Sequence, residues 1–162
     1  MYVAFMAVNC GDTLASELGM LSPHPPVLIT SGRPVAPGQD GGVSLWGTVA
    51  AALGGLLIGA WAGGLAPCFQ CVLWAVVGST ADSVMGSLYQ APTLKLNWLE
   101  WKFRNSVVNT LSSGLVAGLA GLASELPAVY YLMYVVALVA FIVPILGLAR
   151  MPSAAGERKQ AL

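Results

Sequence analysis

Long apolar blocks make up most of this chain, and short polar, glycine-rich patches separate them. The blocks run over 43–60, 65–77, 107–123 and 129–149. The first and third lie close to the ~17-residue minimum for a helix that crosses a bilayer. The fourth contains Pro144, which a membrane helix accommodates with a kink. The second is too short alone and reaches spanning length only if its helix continues through Gly78, Asp82 and Gly86 toward Tyr89. Residues 1–8 read as the last two turns of a further helix whose start is absent, and they lack the basic start of a signal peptide. Gly63-Gly64 with Pro67, and the stretch 124–127, punctuate the blocks so closely that each flanking pair of helices should form an antiparallel hairpin. The Pro- and Gly-rich stretch 20–42 is expected to be irregular. The linker 91–104 carries Trp98 and Trp101 at the level of lipid headgroups, and 151–162 is a polar, disordered tail. The expected fold is all-α: a polytopic transmembrane helix bundle, one domain over 1–150, with four spanning helices plus the remnant of a fifth.

Composition narrows the partners. Hydrophobic residues make up 57% of the chain and charged residues 9%, whereas a soluble domain carries about 25% charged residues. So few charges cannot cover a water-facing surface, and the natural partner is a lipid bilayer. Zero formal net charge leaves no electrostatic footprint for nucleic acid. If the four blocks span, all seven basic residues (Arg33, Lys95, Lys102, Arg104, Arg150, Arg158 and Lys159) fall on one side. The positive-inside rule assigns that side, with the polar patches, to the cytosol or stroma. Cys68-x-x-Cys71, the separate Cys10 and the single His24 in a Pro-rich turn fall short of a four-ligand zinc set. They read as small buried hydrophobes and a loop histidine.

The polar patches hold the candidate chemistry, because carboxylates so close to hydrocarbon are costly and mark function by default. On a helix, Ser79, Asp82, Ser83, Gly86 and Gln90 fall on one stripe. That stripe either faces a polar cavity or glues helices together. Asp12, Thr13, Ser16 and Glu17 share a second broad face. Paired carboxylates there suit Mg²⁺, while the competing reading makes Asp12 a helix N-cap. Asn105, Asn109 and Ser112 form a third stripe that could hold a headgroup or join two helices. The run Pro37-Gly38-Gln39-Asp40-Gly41-Gly42-Val43-Ser44 precedes an apolar helix, as a backbone phosphate cradle would. Gly55, Gly59 and Gly63, and separately Gly114 and Gly118, have the spacing of close helix packing.

Together these motifs resemble the transmembrane protein 19 family, also called the domain of unknown function 92 family. The likeness runs through Gly-Asp-Thr-x-Ala-Ser-Glu-x-Gly at 11–19, Leu28-Ile29-Thr30 and Pro-Gly-x-x-Gly-Gly-Val-Ser at 37–44. It continues in Gly-Ser-x-x-Asp-Ser-x-x-Gly at 78–86 and Asn-x-x-Val-Asn at 105–109, followed by Ser112-Ser113. The resemblance implies a multi-helix integral membrane protein of the ER-like endomembranes or plastid, kin to a phytyl-phosphate kinase, and longer at its N-terminus than this chain. It implies Mg²⁺-dependent transfer of phosphate from CTP or ATP to an isoprenoid phosphate. Asp12, Glu17 and Asp82 are then the catalytic and metal-holding residues, and Gly38, Gly41, Gly42, Ser44, Ser83, Asn105 and Asn109 the phosphate- and nucleotide-binding ones. Gln39 and Asp40 stand where the family pattern has Thr and Asn, and Arg104 where it has Asp. The alternative is a non-catalytic multi-pass protein, working as a homo-oligomer or beside a helical partner.

Overall fold

The computed structural model describes residues 1–89, 98–123 and 125–149, and the side chains of 89, 98–106 and 148 are not described. The expected tail at 151–162, Gln90, the linker over 91–97 and the side chains of Trp98, Trp101 and Asn105 therefore lie outside the described residues, as do those of all basic residues except Arg33. Within those bounds the chain is helical: α1 Tyr2–Gly19, α2 Leu45–Trp61, α3 Leu65–Tyr89, α4 Trp98–Ala123 and α5 Pro127–Ala149. The α3 helix runs unbroken through Gly78, Asp82 and Gly86, as its length required.

Three expectations are corrected. The helix that holds residues 1–8 does not end at Val8, because it continues through the first polar patch to give an 18-residue α1 packed against both α2 and α3. That continuation places Asp12 in mid-helix and removes the N-cap reading. The stretch 20–42 is not wholly irregular: β1 Val27–Leu28 pairs antiparallel with β2 Gly42–Val43, and Val27 also bridges to Pro34. The α4 helix begins at Trp98, inside the expected linker. Of the four blocks expected to span, two are long and apolar enough among the described residues, Leu65–Leu88 and Pro127–Gly147. The α2 helix has 17 residues, or ~26 Å at 1.5 Å per residue, against a hydrocarbon core of ~30 Å.

The interior mixes small or hydroxylic positions (Ala4, Ala7, Ala51, Ala75, Thr48, Thr80, Ser112 and Ser113) with larger apolar ones such as Leu73, Trp74, Val116 and Met133, while large apolar side chains also face outward. The exposed face of α2 carries Trp46, Leu53, Leu57 and Trp61, and α5 exposes Leu132, Val135, Leu138, Val139 and Ile142. In α5 the most apolar window has a mean hydropathy of 2.5 with only 17% of it buried, so an apolar surrounding, a bilayer or further helices, must cover it.

Glycine sets the spacing between helices. A Cβ at Gly54 would lie 2.7 Å from Gly11 Cα, and one at Gly55 2.5 Å from the Cys71 carbonyl oxygen. A Cβ at Gly59 would run into the Cys68 backbone. These contacts make α2 antiparallel to both α1 and α3 and bear out close packing at Gly55 and Gly59. Gly63 instead shapes the α2–α3 turn, with φ +87°. A Cβ at Gly114 or Gly118 would meet nothing within 4 Å among the described residues, so their spacing forms no seam there.

These environments predict opposite outcomes for like substitutions. Gly59→Ala should cost ~1–3 kcal/mol through overpacking. Gly114→Ala should be neutral or gain up to ~1 kcal/mol of helix propensity. Thermal unfolding in detergent measures both, and equal shifts would contradict the packing described.

Candidate functional site

All five helices and the 37–44 loop contribute to one cavity of about 310 Å³. On its polar side stand Asp12 and Ser16 from α1, Asp40 from the loop, Ser79, Asp82 and Ser83 from α3, and Asn109 from α4. Ala51, Val76, Val108 and Ala140 supply an apolar side. The cavity is amphipathic because polar stripes of α1, α3 and α4 meet the small apolar faces of α2 and α5.

The α3 stripe faces the cavity along its described length, since Ser79, Asp82, Ser83 and Gly86 all line it. Asp82 is also tied to α4, where Ser112 Oγ donates to its Oδ1 at 3.4 Å. Ser112 and Ser113 both also reach the Asn109 carbonyl, at 3.1 and 2.6 Å. The α1 face divides. Asp12 and Ser16 line the cavity, whereas Thr13 and Glu17 are exposed and do not. Asp12 lies beside Ser79 and within reach of the charge of Asp82, which in turn feels Asp40. Three carboxylates from three segments thus converge on one space. Among the described residues no group of three His, Cys, Asp or Glu is close enough to share a metal ion. The structure therefore brings Asp12 and Asp82 together and leaves Glu17 apart.

Local geometry explains much of the glycine run. Gly38 and Gly41 have φ of +79° and +76°, where a side chain would be strained. A Cβ at Gly41 would also come within 2.5 Å of Ser87 Cβ, so this residue lets the loop lie directly on α3. Gly42 N–H donates to the Gln39 carbonyl at 3.0 Å. Ser44 is the α2 N-cap, its Oγ accepting from Gly47 N at 3.0 Å. Two of the expected phosphate contacts thus already hold the loop and helix together. Gly38, Gly41, Gly42, Ser44, Ser83 and Asn109 nonetheless all line the cavity.

Among the polar lining residues to which sequence reasoning gave no role are Asp40, Ser79 and Thr48. Asp40 was visible only as extra charge in the glycine run, and Ser79 only as a member of its stripe. Thr48 gave no signal, since a single Thr in an apolar helix looks like packing. Cys71 is buried against α2, and His24 is exposed in the loop, its N–H donating to Ser22 Oγ at 3.3 Å.

Known proteins place this arrangement in context. The family described as "Integral membrane protein DUF92" matches residues 1–117. An uncharacterized membrane protein of Methanocaldococcus jannaschii is 33% identical over 124 residues, covering 74% of this chain and 47% of its own. An uncharacterized membrane protein of Synechocystis is 32% identical over 124 residues, covering 74% and 45%. Protein PGR of Arabidopsis thaliana is 49% identical over 49 residues, covering 30% and 17%. The chain spans about half the length of the first two relatives, and no solved structure matches it.

The loop geometry carries its own prediction. Gly41→Ala should release the 37–44 segment from α3, speeding proteolysis within 20–44 while the helices stay protected. Cleavage at the parental rate would contradict the contact at Ser87.

Proposed function

The chain belongs to the DUF92 family of integral membrane proteins, and from that premise we propose that its cavity handles a lipid phosphate. The reaction is Mg²⁺-dependent phosphoryl transfer from a nucleoside triphosphate, CTP or ATP, to an isoprenoid monophosphate such as phytyl phosphate. The observation that carries the reading is the convergence of Asp12, Asp40 and Asp82 on an amphipathic cavity inside a lipid-facing bundle. Carboxylates in such a place need a cation or water, and an amphiphile would match both sides of the space.

The donor set fits magnesium. Its usual site uses one or two carboxylates together with substrate phosphates, so Asp12 and Asp82 suffice without a third protein ligand. Bound magnesium would screen the phosphate charge. Ser79 and Ser112 stand beside the two carboxylates, and the α2 N-terminus adds a positive dipole end beside Val43, Gly47 and Thr48. Within this frame an acceptor phosphate oxygen attacks the γ-phosphorus as the bond to the nucleoside diphosphate breaks, a step needing mainly positioning and charge neutralisation. The cavity has room for the phosphate-bearing ends of the reactants. The basic residues of the loops and tail support a cytosolic or stromal orientation for this face.

A second reading, a non-catalytic multi-pass protein, is favoured by two observations. No Lys or Arg lines the cavity among the described residues, and Gly42 N–H and Ser44 Oγ are already engaged.

Membranes containing the protein, supplied with Mg²⁺, CTP or ATP and phytyl or farnesyl monophosphate, should yield the diphosphate. Asp82→Asn and Asp12→Asn should each lower the rate at least about tenfold, the loss seen even for residues that only support metal ligands. Glu17→Gln should leave it unchanged. Absence of product in the unsubstituted protein would favour the non-catalytic reading, and full activity in Asp82→Asn would exclude the metal role given to Asp82.

A further inference from the structure

Pro144 lies inside α5. Having no N–H, it cannot donate to the carbonyl four residues earlier, that of Ala140. Ala140 is 4% exposed, so its carbonyl needs a partner in place of the lost helical donor. Thr48 on α2 stands opposite. Its Oγ1 lies 3.4 Å from the Ala140 oxygen and 3.1 Å from the Ser44 oxygen of its own helix. A hydroxyl has one proton to donate. Ser44 O already accepts Thr48 N–H at 2.9 Å, whereas Ala140 O has lost its helical donor. The hydroxyl proton therefore does more on Ala140, where it joins α2 to α5.

Ala51, Val76 and Ala140 close the apolar side of the cavity, backed by Ala52, Ala137 and Phe141. Both helices then turn large apolar side chains outward, Val49 and Leu53 from α2 and Val139 and Ile142 from α5. The α5 helix is held to the body on either side of this point. Gln70 Nε2 donates to Tyr130 Oη at 3.2 Å, and Gly147 packs so tightly on Val27 that a Cβ would come within 2.5 Å.

We propose that the α2–α5 seam is a lateral opening through which the apolar chain of a membrane amphiphile reaches the cavity, and that Thr48 is its latch. The inference rests on reading the cavity as a lipid-phosphate site and adds the route of the tail. The phosphate meets the carboxylate side, and the chain passes between the alanines of α2 and α5 into the bilayer. Small side chains part with little loss of packing, and one hydrogen bond holds them closed.

The test uses Ala140→Cys in a chain whose Cys10, Cys68 and Cys71 are replaced by Ala, reconstituted in phosphatidylcholine vesicles. N-dodecylmaleimide, carried in the bilayer, reports opening of the seam by its rate of labelling. Thr48→Val should raise that rate about threefold, the factor carried by the ~0.6 kcal/mol that an average interhelical hydrogen bond contributes in a membrane protein. Thr48→Ser, which keeps the hydroxyl, should restore the parental rate. Pro144→Ala returns a donor to the Ala140 carbonyl, so Thr48→Val should have no effect in that background. A charged maleimide confined to water should label at a rate Thr48→Val does not change. Equal N-dodecylmaleimide rates with and without the Thr48 hydroxyl, or a parallel rise with the charged reagent, would overturn the proposal. Labelling needs no turnover. A chain inert in the kinase assay can still show the latch, and an active one with unchanged labelling rejects the latch alone.

Discussion

Backbone-to-backbone contact at Gly11, Gly54, Gly55 and Gly59 sets how closely α1, α2 and α3 approach, and the polar interior depends on that approach. In lipid there is no hydrophobic force to press helices together, so fit between small surfaces must do it. Glycine at these four positions lets α2 lie against both neighbours without a side chain between them. The three helices then carry their polar residues to one end of the contact. Asp12 meets Ser79 there, and Asp82 reaches across to Ser112 on α4. Larger residues at the glycines would separate the helices and let the carboxylates drift apart.

The 37–44 loop closes the arrangement by the same means. Positive φ at Gly38 and Gly41 turns the chain, and the missing side chain at Gly41 seats it on Ser87. Asp40 is thereby delivered to the cavity already lined by Asp12 and Asp82. The short ladder of β1 with β2, backed by Val27 on Gly147 of α5, fixes the loop from its other side. Chemistry and packing use the same residues here, which is why Ser44 is both a cavity residue and a helix cap.

Much of this was legible in the chain, for physical reasons that differ by element. Apolar blocks announce membrane helices because hydrocarbon tolerates little else, and the Ser79–Gly86 stripe announced its shared face through helical periodicity. The close packing of Gly55 and Gly59 could be read from spacing. The same spacing at Gly114 and Gly118 meets no neighbour among the described residues, and a small-residue face says only that a neighbour could approach. The central course of α1 was hidden because its polar half looks like a loop when read for hydrophobicity. The same bias concealed the separation of Glu17 from Asp12, since a broad helical face does not say which part turns inward. Pairing of Val27 with Val43 bridges a Pro- and Gly-rich stretch, and no local pattern marks it. The role of Thr48 depends on Pro144, far away along the chain, and only the tertiary arrangement joins them.

The central claim is that α1 and α3 present Asp12 and Asp82 to one water-accessible space at one side of a lipid-embedded bundle. Cysteines at both positions, in a chain stripped of its three native ones, measure this directly. Asp12→Cys with Asp82→Cys should be bridged by a short membrane-impermeant bis-maleimide added to one side of sealed vesicles, so that the two fragments made by cleavage within 20–44 stay joined on denaturing gels. Reaction of the two sites from opposite sides, or single modification of each without bridging, would contradict the account.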